Sequence, residues 1–124
     1  MKVLTIKQII EINNKIIKNE NNVLNYKILE QTCSSYKHTF DGEELYPKFI
    51  DKLTVTVYSI IKNHPFVNGN KRTAFIVMLL LLKVNGFEFS RKLDRSEIVK
   101  VVLDLASSKM SSDELKKFIK DNTY

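Results

Sequence analysis

The chain has 124 residues, 44% of them hydrophobic and 10% aromatic, with only three Gly and two Pro. This excludes a disordered or collagen-like polymer and, on length, a two-domain enzyme, so one domain over residues 1–124 is expected. Twenty Lys and Arg against 14 Asp and Glu give +6, which favours acidic partners such as nucleotide phosphates, yet the lysines run from Lys2 to Lys120 without the dense stripe of a dedicated nucleic-acid binder.

Met1-Lys2-Val3-Leu4 leads directly into an amphipathic pattern and not into a leader with basic, apolar and small-residue zones. A cytoplasmic protein is the expectation. Thr5-Ile6-Lys7-Gln8 has the form of a capping box, and Ile6, Ile9, Ile10, Ile16 and Ile17 recur at near-helical spacing, predicting a first helix. Asn19, Asn21, Asn22 and Asn25 interrupt it. Leu29, Cys33 and Tyr36 then mark one face of a shorter second helix, on which Cys33 is a packing residue. Because Cys33 is the only cysteine, an intramolecular disulfide and a cysteine-rich zinc site are excluded. His38 to Glu44, with Gly42, reads as a loop, and His38 has no acidic or cysteine neighbours at ligand spacing, so it is read as a surface histidine.

From Pro47, taken as an early helical position, Phe49, Ile50, Leu53, Val57, Ile60 and Ile61 form a helical stripe. Leu53 to Val57 also alternates as a β-branched strand would. Asn63 to Lys71 carries Pro and Gly and breaks the pattern. The apolar segment from Arg72 then runs to Gly86, which suits a helix C-terminal cap. Its longest apolar run, Phe75 to Leu82, is 8 residues against the roughly 20 of a membrane span, so no membrane association is expected. Asp94 with Glu97 and Ser111 with Glu114 are two more helix starts, followed by Ile98, Val101, Val102, Leu105 and by Leu115, Phe118, Ile119. Phe87-Glu88-Phe89 reads as a brief extended stretch, and nothing suggests a multi-stranded sheet. The expected fold is all-α, a compact single-domain bundle of about six helices.

Chemistry concentrates in His64-Pro65-Phe66-Val67-Asn68-Gly69-Asn70-Lys71-Arg72, a polar loop entering the most apolar helix. Backbone N–H groups at a helix start lack internal partners and, with the helix dipole, favour an anion such as phosphate. Gly69 permits close approach. Lys71 and Arg72 add a point charge and a planar fork beside that anion, in a chain with 3 Arg against 17 Lys. Asn68 and Asn70 offer carbonyl oxygens to a hard cation or amide donors to phosphate. His64 is the one candidate general base in the loop, since imidazole takes a hydroxyl proton near neutral pH. Phe66 is read as the loop's anchor in the core. The bland alternative is that His-Pro ends one helix, Asn-Gly turns and the cations are merely solvated.

This loop resembles the signature of the Fic/Doc superfamily, H-x-F-x-D/N-A/G-N-K-R in its Doc (death-on-curing) branch, with His64, Phe66, Asn68, Gly69, Asn70, Lys71 and Arg72 at every specified position. Flanking stretches Phe40 to Pro47, Ile61 to Asn63 and Asn85-Gly86 are similar too. Fic-type adenylyltransferases usually carry H-P-F-x-D/E-G-N-G-R-x-x-R, from which the chain departs at Asn68, Lys71 and Phe75. The resemblance implies an inverted nucleotide, with the γ-phosphate of ATP passed to a threonine of elongation factor Tu and translation blocked. It implies His64 as the base, Asn68 as a ligand of Mg2+, and Gly69, Asn70, Lys71 and Arg72 as phosphate holders. Asn68, lacking aspartate's charge, should bind metal more weakly. Lys37 to Tyr46 is by analogy a flap for the target segment. The self-restraining motif of some Fic proteins, Ser or Thr with Glu four residues on and then Gly or Asn, is absent, because Thr39 and Glu43 are followed by Glu44. Restraint is therefore expected from a separate antitoxin chain. The alternatives are an adenylyltransferase using the same loop, and a non-enzymatic basic helical module for nucleic acid or a partner; nucleic acid is not the expected substrate.

Overall fold

The computed structural model describes residues 1–124. Six α-helices follow one another along the chain: α1 (Ile6–Ile17), α2 (Tyr26–Cys33), α3 (Phe49–Asn63), α4 (Asn70–Val84), α5 (Arg95–Ala106) and α6 (Ser112–Asn122). Strands β1 (Thr39–Phe40) and β2 (Glu43–Glu44) form the single, two-stranded sheet. The mostly helical architecture expected from the periodicity is the one observed.

Local signals explain most of the helix ends. At α1 the Gln8 N–H donates to Thr5 Oγ1 at 3.1 Å and the Thr5 N–H donates to Gln8 Oε1 at 2.8 Å, completing the capping box. Ser111 and Glu114 build the same device at α6, whereas Asp94 caps α5 by accepting from Ser96 alone. The strand-like stretch Leu53 to Val57 is helical. Its burial repeats with the helical period at Leu53, Val57, Ile60 and Ile61, and the hydroxyls of Thr54 and Thr56 donate to the carbonyls of Ile50 and Lys52 at 2.7 and 2.8 Å. Back-bonded threonines can therefore be buried in a helix despite their β-branching.

Three expectations need correction. Pro47 lies before the helix: α3 starts at Phe49 with Lys48 as its N-cap, so the proline sets the entry and not the first turn. Tyr36 belongs to a 3-10 turn, Ser35–Lys37, beyond the end of α2. The loop from His38 to Glu44 holds the β1–β2 hairpin, with Thr39 opposite Glu44 and Phe40 opposite Glu43. Its tip, Asp41-Gly42, has φ of 54° and 82°, the paired left-handed conformation of a tight hairpin turn. Lys52 of α3 ties the hairpin down, pairing with Glu44 at 3.3 Å and donating to the Tyr46 carbonyl. His38 itself is exposed, as read. The stretch Phe87 to Phe89 pairs with the chain's end: Glu88 and Tyr124 exchange two backbone hydrogen bonds of 3.0 Å.

Helix α3 is central and packs on α2, α4, α5 and α6, while α1 lies along α4. One cluster of 20 buried apolar residues draws on all six helices, so they share one core. No helix is long and apolar enough to cross a membrane. Cys33 is buried in that cluster, and burial pushes its thiol up from an ordinary value near 9.0 to about 11. The folded state thus holds this proton more tightly than the unfolded one. The contribution is fully present below about pH 9 and lost as pH rises toward 11. Native protein at pH 8 should accordingly resist thiol reagents that label Cys33 rapidly once denaturant is added; equal labelling rates in both states would contradict this burial.

Candidate active site at the start of α4

The site begins where α3 stops. His64 follows Asn63 with φ 47° and ψ 59°, a left-handed conformation that His adopts more readily than most residues, and Pro65 cannot continue the helix. The imidazole is thereby placed at the surface. The next residue but one does the opposite: Phe66 is 1% exposed and belongs to the core cluster. Chain direction then reverses through Val67, Asn68 and Gly69 into α4.

What holds this loop in place lies far away in sequence. The Leu24 N–H donates to the Pro65 carbonyl at 2.9 Å, and the Val67 N–H donates to the Asn22 carbonyl at 2.8 Å, pairing Val23 with Phe66 in a short antiparallel bridge. Beneath it, Asn13 of α1 and Asn22 form a buried amide network. Asn13 Nδ2 donates to the Asn68 carbonyl at 2.9 Å and to Thr73 Oγ1 at 3.1 Å. Asn22 Nδ2 donates to Asn13 Oδ1 at 2.6 Å and to the same Asn68 carbonyl at 2.9 Å. These residues were missed from sequence, where the run Asn19 to Asn25 looked like a mere interruption; the one local hint is Asn13, polar on an otherwise apolar helix face.

Gly69 is demanded by packing. It sits at φ 78°, and a Cβ there would meet Ile17 Cδ1 at 2.8 Å and Asn13 Nδ2 at 3.2 Å. Close approach is thus to α1, inside the protein. Asn70 is also occupied internally. Its Oδ1 accepts from the Phe66 N–H at 3.0 Å, its Nδ2 donates to the Phe66 carbonyl at 2.9 Å, and the second Nδ2 hydrogen faces His64 Nδ1 at 3.3 Å. The Asn70 side chain therefore braces the loop, and what it can still offer an anion is its backbone N–H. Since an amide nitrogen can only donate, that contact is a hydrogen bond only while the imidazole carries its proton on Nε2.

The amides of Asn68, Gly69, Asn70, Lys71 and Arg72 donate to no acceptor within the protein, and the first amide of α4 bonded inside is that of Thr73, to the Gly69 carbonyl at 2.8 Å. Lys71 and Arg72 are exposed and enter no ion pair. All of this faces one open cavity of about 820 Å³. Its polar side is formed by His64, Asn68, Lys71, Arg72 and Arg95, its apolar side by isoleucines of α1 and α4 and valines of α5, and no Asp or Glu lines it. Free amides at a helix N-terminus, three basic side chains and no carboxylate suit a polyanion. No group of three or more His, Cys, Asp or Glu side chains could cage a metal. Asn68, exposed at the cavity, is one neutral oxygen, which fits a magnesium ion brought in on phosphates and keeping most of its waters.

The chain matches the sequence model of the Fic/DOC family over residues 3–82. It is also 27% identical to Toxin Doc of Mycolicibacterium smegmatis over 93 residues, 75% of this chain and 72% of the relative.

Proposed function

The chain belongs to the Fic/DOC family, and from that premise we propose that it is a Doc-like toxin, a cytoplasmic single-domain enzyme that passes the γ-phosphate of ATP to a protein hydroxyl, a threonine of elongation factor Tu, and so blocks translation. One observation carries the reading: an exposed imidazole stands beside unbonded helix-start amides and Lys71, Arg72 and Arg95 in a cavity free of carboxylates. The relative named Toxin Doc supports the toxin assignment. Lysine at position 71, where the adenylyltransferase pattern has glycine, favours γ-phosphate transfer over AMP transfer.

The steps follow from the residues. Amides 69–72 with Lys71 and Arg72 hold the phosphate chain and neutralise charge as it shifts toward the leaving group. His64 Nε2 takes the proton of the acceptor hydroxyl, whose oxygen bonds to the γ-phosphorus as the bond to the β-phosphate oxygen breaks and ADP leaves. Proton uptake at Nε2 needs the tautomer with Nδ1–H, so the 3.3 Å contact with Asn70 Nδ2, itself a donor, is given up as the acceptor docks. Magnesium, held by Asn68 and the phosphates, would supply further charge neutralisation. The β1–β2 hairpin, pinned by Lys52, presents its outer edge to the target segment. Restraint falls to a second chain, an antitoxin.

The test is incubation of the protein with ATP, Mg2+ and elongation factor Tu, using label at the γ- or the α-phosphate. Transfer of γ-label with a phosphate mass increment is expected. Transfer of α-label would make the protein an adenylyltransferase, and no transfer to any protein, with a salt-sensitive shift on DNA, would favour the non-enzymatic module.

A further inference from the structure

Arg95 lies outside the stretch shared with the family, which ends at residue 82, yet it opens onto the same cavity as His64, Lys71 and Arg72. It is the first residue of α5, exposed, and makes neither an ion pair nor a hydrogen bond with the protein. Its guanidinium carbon stands 5.5 Å from the centre of the Phe75 ring. Phe75 follows Arg72 by three residues, about 4.5 Å along the α4 axis and on the same face. The ring therefore holds the planar fork roughly one helical turn from Arg72, with its donors unspent. The adjacent acid, Asp94, is engaged as the α5 cap. Of the chain's three arginines, two line this cavity and only Arg91 does not.

We propose that Arg95 is a phosphate ligand of the nucleotide site: stacked on Phe75, it contacts the polyphosphate chain together with Lys71 and Arg72. The inference rests on the nucleotide-binding reading above and adds a residue from α5 to it. A triphosphate carries more negative charge than Lys71 and Arg72 can balance, and a fork preset by a ring loses little entropy on binding it.

Binding of labelled ATP to the purified full chain, and its displacement by inorganic tripolyphosphate, tests the assignment. Arg95→Gln should weaken both ligands by the same factor, about tenfold, because a charged bidentate contact to phosphate is lost. Arg95→Lys should fall between, and Arg91→Gln should match the wild type. The unliganded melting temperature of Arg95→Gln should fall by no more than about 3 °C, since only the exposed contact with the Phe75 ring is lost. ATP binding by Arg95→Gln within about twofold of wild type, while Arg72→Gln loses it, overturns the role of Arg95 and leaves the nucleotide site standing. Weaker ATP with unchanged tripolyphosphate overturns it too, by moving the contact to base or sugar. Wild-type protein binding neither ligand refutes the nucleotide reading and this inference with it.

Discussion

Replacing His64 by alanine is expected to lower phosphate transfer by about 100- to 10,000-fold, the range a positioned general base supplies, while leaving ATP binding and melting temperature close to wild type. The asymmetry comes from its setting. The imidazole is exposed and makes one long contact, to Asn70, so little packing is lost with it. In the proposed site phosphate is held by amides 69–72 and by cations, none of which is bonded to the ring. A variant that keeps full transfer would remove His64 from the chemistry. One that loses both transfer and ATP binding would make it a structural cap of α3, the bland reading of His-Pro.

Asn13→Ala should have the second largest effect, and it acts without touching substrate. Asn13 is fully buried and holds Asn68, Thr73 and Asn22 at once. Truncation strands those partners in a dry space and should cost about 2–4 kcal/mol, enough to lower the melting temperature by roughly 5–15 °C. Transfer should fall as well, because the Asn68 carbonyl loses one of its two clamps and the amides that follow lose their aim. Asn13→Asp keeps the acceptor for Asn22 but has no donor for Asn68 or Thr73, so it should behave nearly as badly. Unchanged melting and transfer in both variants would show the network to be incidental.

These two residues divide what could be read along the chain from what could not. His64, Asn68, Lys71 and Arg72 sit within nine residues, and their types suit proton transfer and anion binding, which is what made the loop stand out. The residues that aim them are 46 to 60 positions away, and a polar residue in a helix gives no sign of the carbonyl it will find. Asn70 illustrates the same division within the motif. Its type suits phosphate, yet its amide is consumed by Phe66 and His64, a choice made only when the loop closes. Gly69 is likewise explained by Ile17 and Asn13 and not by the residues beside it.

Helices α1 and α6 were legible because their capping boxes are contacts between residues three apart, which the order of side chains determines directly. The choice of helix over strand for Leu53 to Val57 belonged to the core, since α3 can bury its stripe only by presenting it to α2, α4, α5 and α6. Sequence alone, then, determined the short-range devices and the chemical kind of the loop, both properties of neighbours. Tertiary packing decided where that loop points and which distant side chains serve it: the asparagine clamp, the room beside Gly69 and the guanidinium on Phe75 all depend on surfaces that meet only once α1, α4 and α5 have docked.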